Sequence, residues 1–93
     1  MLKKGGKKME IEIIKGMIDN STWIDPEKQT TYKFAENNQL FINGKNHMQY
    51  NVKKSKNQIL IQLGSGSMYI IEYVNDFILY LHNFKERFMI TPA

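Results

Sequence analysis

Four tyrosines, Tyr32, Tyr50, Tyr69 and Tyr73, are the side chains best placed for chemistry, because strand alternation sends all four to one face. A buried tyrosine brings a large apolar ring and a hydroxyl that needs a partner. Together they could line a pocket and orient a small apolar or amphipathic ligand. The competing expectation is a packed core whose hydroxyls bond backbone or water at the ends of the strands, since eight short strands enclose little beyond their own side chains.

The other reactive groups point away from catalysis. His47 and His82 fall on the outer face without an acid at chelating spacing, and cysteine is absent. A site of three or four clustered metal ligands is therefore not expected, nor is a cofactor or a disulfide. Asp19, Asp25 and Glu27 lie in or near the first turn, and Glu72 alternates outward between Ile71 and Tyr73. No carboxylate pair is set for acid–base work, and no nucleophile has a base beside it. Gly64-Ser65-Gly66-Ser67 has the composition of an amide cradle for an anion; without a following helix it reads as a hairpin turn. No catalytic role is expected.

The elements that must position these residues are strands. The stretch from Ser67 to Phe84 holds two β-type runs meeting at Asn75-Asp76, which reads as a tight type I′ hairpin. Around it, turn signals recur every eight to ten residues: Asp25-Pro26-Glu27-Lys28, Glu36-Asn37-Asn38, Asn43-Gly44, Lys54-Ser55-Lys56-Asn57 and Gly64-Ser65-Gly66. Asn43-Gly44 is the strongest hairpin signal. About eight short strands result, with connections too short for crossover helices. The expected fold is all-β, an antiparallel up-and-down meander closing into a barrel, which removes the exposed edges. Residues 9–18 fit both a helical face and a strand, and a short helix or turn across the barrel mouth is favoured over an extra strand. Closing the meander pairs its first and last strands, bringing Trp23 near the last strand and its Arg87.

The run TWIDPEKQTTYKFAENNQLFING, with later strands ending in FILYL and FMITPA, resembles the small lipocalin-like barrels of the calycin group. The shared pattern is an early Trp, a Thr-Tyr-x-Phe strand, an Asn-containing turn and a leucine-rich penultimate strand. Ser21 stands where that group places a glycine two residues before the Trp. The resemblance implies the barrel, the binding of a small ligand, and an arginine of the last strand, Arg87, packed over Trp23.

The outer parity of the main hairpin carries Met68, Ile70, Val74, Ile78, Tyr80 and Phe84. A monomer seldom leaves so much apolar surface wet, so a homodimer or protein partner on this face is the alternative function. Lys3, Lys4, Lys7 and Lys8 supply most of the +4 net charge, so residues 1–8 read as a flexible tail and 9–93 as one domain. Nucleic-acid binding is not expected, because few exposed aromatics accompany Lys45, Lys53, Lys54 and Lys56. No apolar run is long enough for a membrane span or a leader's core. The expected location is cytoplasmic as the sequence stands, and secreted if a leader has been removed.

Overall fold

A computed structural model describes residues 11–93, the side chain of Asn46 excepted; the Lys/Gly tail at residues 1–8 lies outside the described residues. Helix α1 spans Ile11–Ile18, and eight strands follow: β1 Ser21–Asp25, β2 Thr30–Ala35, β3 Gln39–Ile42, β4 Asn46–Ser55, β5 Gln58–Leu63, β6 Met68–Asn75, β7 Ile78–His82 and β8 Arg87–Pro92. Each strand pairs antiparallel with the next, and β1 pairs with β8, so the sheet closes into an up-and-down barrel.

Residues at positive φ set the turns, asparagine and glycine in several of them, Gln29 and Lys56 in the β1–β2 and β4–β5 turns. Asn43 (φ 56°) and Gly44 (φ 73°) lie in the three-residue turn, 43–45, that joins β3 to β4. Asn37 and Asn38, at φ 60° and 58°, reverse the chain between β2 and β3. Both residue types tolerate this left-handed region at low cost. Gly64 serves packing instead. A Cβ there would meet the Gln49 backbone at 3.2 Å, and its N–H donates to the Gln49 carbonyl at 2.8 Å.

The ambiguous segment is helical over 11–18. Ile14 and Ile18, one helical turn apart, are both buried in the barrel core, while Glu12 is exposed and Lys15 half-buried. The helix does not stop at Gly16; it ends where Asn20 takes φ 59°. Because neighbouring strands alternate in direction, α1 shares one end of the barrel with the β2–β3, β4–β5 and β6–β7 turns. The turns at 26–29, 43–45, 64–67 and 83–86 gather at the other end.

Two expectations about the core are corrected. The β6–β7 turn falls on Asp76 and Phe77, not on Asn75-Asp76, and neither Asn75 nor Asp76 has positive φ. A register shift between Tyr73 and Asn75 moves the turn by one residue, and the Asn75 side chain then accepts the Phe77 N–H at 2.7 Å. The Trp23–Arg87 contact does not form, although its strands do pair. Trp23 stands opposite Pro92, five residues along β8 from Arg87 and so about 17 Å away. The indole is buried beneath α1, where its N–H donates to the Met17 carbonyl and to Ser21 Oγ. Ser21, at the position the lipocalin-like pattern gives to glycine, thus supplies a hydrogen bond that glycine could not.

Candidate functional site

The barrel interior holds a cavity of about 90 Å³ lined by Tyr32, Phe34, Leu40, Ile61, Tyr69 and Phe88 together with Ile42, Leu63 and Leu81. Its lining strands bring these residues inward by alternation, and it occupies the half of the barrel away from α1. An aromatic layer covers it. Tyr32 stacks on Phe88 with centroids 6.1 Å apart, and Tyr69 meets Phe88 edge-on at 5.5 Å. The Lys28 ammonium lies 4.8 Å from the centre of the Phe88 ring.

A polar rim joins this layer to the turns above it. Glu86 accepts from Lys28 Nζ at 3.1 Å through one oxygen and from the Tyr69 hydroxyl at 2.8 Å through the other. These two hydrogen bonds hold the Glu86 carboxyl below its ordinary range. Asp25 ends β1 on the same inward row as Trp23 and is 1% exposed. Its Oδ1 accepts the Glu27 and Lys28 N–H groups at 2.9 and 3.1 Å, an Asx turn that shapes the β1–β2 connection. Its Oδ2 is buried with no partner among the described residues. Leaving such an acceptor unsatisfied costs about 1–3 kcal/mol.

Of the four tyrosines, the structure brings Tyr32 and Tyr69 together at the cavity. Tyr50 is buried at the other end, where its hydroxyl donates to Asp19 at 2.6 Å and its ring meets Phe34 edge-on at 5.0 Å. It helps fasten the helix rather than line the void. Tyr73 keeps the inward register but does not line the cavity. It stands opposite Leu79 just before the register shift, is 37% exposed, and donates to Asp76 at 2.7 Å.

Burial, first of all, pushes the Tyr32 and Tyr69 hydroxyls up to about 12 from an ordinary 10.0; the nearby carboxylates Asp25 and Glu86 add to it at Tyr32, and Glu86 at Tyr69. Tyr50 is raised by burial and then by its bond to Asp19. The folded chain therefore holds phenolic protons that the unfolded chain releases near pH 10. This contribution is complete below about pH 10 and is lost as pH rises towards about 12. The thermal midpoint should fall steeply across that interval, and Tyr50→Phe should make the fall shallower; a midpoint indifferent to pH there would contradict the burial of these hydroxyls.

The outer face of the β6–β7 hairpin is less uniformly apolar than alternation alone implies. Met68 and Val74 are exposed, whereas Ile70, Ile78 and Tyr80 are half-buried. The Arg87 guanidinium lies over the Tyr80 ring at 3.9 Å and bonds Glu72 at 3.1 Å, and His82 Nε2 lies 2.9 Å from the same carboxylate. A polar trio thus crosses the apolar strip and covers part of it. His47 pairs with Gln39 and stacks on Phe41. Among the described residues no three acids or histidines group closely enough to hold a metal ion, and no helix is long and apolar enough to cross a membrane.

Asp25, Lys28, Glu86 and Phe88 carry the rim and were not singled out from sequence as site residues. Asp25 reads locally as a turn starter, although its two-residue spacing from Trp23 places it on the inward row. No family model matches the chain, and neither the curated proteins nor the solved structures include one with significant similarity to it.

Proposed function

We propose that this protein is a non-catalytic, lipocalin-like binding barrel that takes a small apolar or amphipathic ligand through the end opposite α1. The observation that carries this reading is the apolar void under the Tyr32–Phe88–Tyr69 layer. Its size restricts the ligand. Pockets for drug-sized molecules run to about 300–1,000 Å³, so 90 Å³ receives a small molecule or one end of a longer one. In this reading the barrel offers its ligand orientation and shelter from water rather than chemistry.

Native mass spectrometry of the purified protein, with amide shifts recorded during titration with n-butanol, tests this. Shifts at the cavity-lining residues are expected in the wild type. Leu63→Phe, which pushes a ring into the void, should weaken them by about tenfold or more, a loss of roughly 1.4 kcal/mol. No retained molecule, and no shifts up to the solubility of the alcohol, would mean that the interior is simply a packed core.

A second reading, association through the outer face of residues 68–84, draws on Phe84, which is 97% exposed beside Met68. An unpaired charge in an apolar interface costs several kcal/mol, so Ile70→Lys should dissociate any complex made there. Sedimentation of the wild type as a concentration-independent monomer, without a partner, would remove this reading.

A further inference from the structure

One side of the barrel is chemically unlike the rest. Residues 30–67, which form β2 to β5, contain five lysines and a single acid, Glu36. The other described residues, 11–29 and 68–93, contain four basic and seven acidic side chains. Lys33, Lys45, Lys53, Lys54 and Lys56 are all exposed, and among the described residues none of them forms an ion pair. A surface of one sign raises the local concentration of anionic partners. The outer face of these strands also carries an aromatic platform. Lys33, Phe41 and His47 stand in one cross-strand row, and the two rings stack with centroids 5.0 Å apart and planes at 27°. Gln39, the neighbouring outward residue of β3, holds the imidazole through its side-chain oxygen. Further along β4 lies a groove of about 480 Å³ whose walls include Asn37, Asn38, Gln49, Asn51 and Gln62 and no charged residue.

We propose that this face binds single-stranded nucleic acid, with a base stacked on the Phe41–His47 pair and phosphates meeting the lysines. The inference goes beyond the cavity and does not depend on it. The sequence argues against nucleic acid because few exposed aromatics stand beside the lysines; the pairing of β3 with β4 supplies a platform. The parts follow one another along β4. Lys45 precedes the strand, His47, Gln49 and Asn51 share its outer row, and Lys53, Lys54 and Lys56 gather at its far end. Stacking on a side chain needs a base with a free face, which a single strand offers. Carboxamides both donate and accept, so the groove suits the edges of such bases. A membrane fits this face poorly. The large apolar side chains that are exposed, Met68, Val74, Phe77 and Phe84 among them, all lie outside residues 30–67, and interfacial binding needs apolar groups to insert.

Fluorescence anisotropy of the full chain with a labelled oligothymidine of about 12 nucleotides, within the span of about 4–16 typical of small barrels, tests the proposal. The single strand is expected to bind more tightly than a duplex of the same length or poly-glutamate. His47→Ala should weaken it by about fivefold or more, the effect of losing one stacked base. His47→Phe keeps a ring there and should stay near wild type. Lys33→Ala and Lys53→Ala should each reduce the salt slope by about 0.7, the share of one phosphate contact on a single strand. These three side chains are exposed, so their replacement leaves the core intact. Lys3, Lys4, Lys7 and Lys8 attract any polyanion, and replacing all four by alanine should lower affinity without removing the preference for the single strand. Equal binding of single strand, duplex and poly-glutamate would overturn the proposal, because charge alone would explain it. So would an unchanged affinity in His47→Ala, a preference lost with the four tail lysines, or no binding at low salt.

Discussion

Ile18→Ala is expected to cost about 2–5 kcal/mol, the range for truncating a fully buried aliphatic side chain. Ile18 is buried at the end of α1 and belongs to the same core cluster as Ile14, Trp23 and Phe34. For a domain of this size each kcal/mol moves the thermal midpoint by about 4–8 °C, so the loss should be visible without extrapolation. The variant also carries its own reporter. Trp23 Nε1 donates to the Met17 carbonyl at 3.2 Å, so loosening the last turn of α1 should wet the indole and shift its emission to the red. Ile13, on the same helix but 50% exposed, is the control: Ile13→Ala should fall within about 0.5 kcal/mol of wild type. If the two substitutions cost the same, α1 does not seal the barrel, and the assignment of one closed and one open end fails with it.

The parts of this fold that can be read from sequence are those decided within a few residues. Asn43-Gly44 makes a hairpin because positive φ is cheap for both residues, and that requires nothing from the rest of the chain. Alternation likewise places Ile59, Ile61, Leu79 and Leu81 inside, where all four are buried. The misreadings come from events that alternation does not encode. One irregularity between Tyr73 and Asn75 displaces the β6–β7 turn by one residue, and Tyr73, though opposite the buried Leu79, is 37% exposed near the end of its strand. The stagger of the closing pair sets Trp23 against Pro92 rather than against Arg87, and stagger depends on the whole circuit of strands. Tyr32 and Tyr50 share the inward face, yet they lie at different depths and serve different ends. Asp25 was hidden for another reason. Its local role in an Asx turn is complete with one oxygen, and only the closed barrel shows that the other is buried.

The helix explains why so small a barrel offers any void at all. Ile14, Ile18 and the Asp19–Tyr50 bond fill and fasten one half of the interior, leaving the unfilled space under the aromatic layer at the other. The closed half supplies stability, and the half beneath Phe88 is where close packing gives way.

That division leads to the second large effect, at Phe34, which belongs to both halves: it lines the cavity and meets Tyr50 edge-on. Phe34→Ala should cost about 3–5 kcal/mol, combining lost transfer free energy with the void left behind. With a typical domain stability of about 5–15 kcal/mol, the variant should remain mostly folded at low temperature. Its enlarged void would join the existing 90 Å³, and an apolar cavity of about 150 Å³ suffices to bind benzene. Saturating benzene should therefore raise the thermal midpoint of Phe34→Ala, because a ligand that binds only the folded state stabilises it by mass action. The wild type, with its smaller void, should respond little. An equal response in both proteins would show that the native cavity already opens wider than its walls indicate. No response in the variant would show that the barrel collapses into the space, so that the void is not held open by a rigid frame, as a binding site there requires.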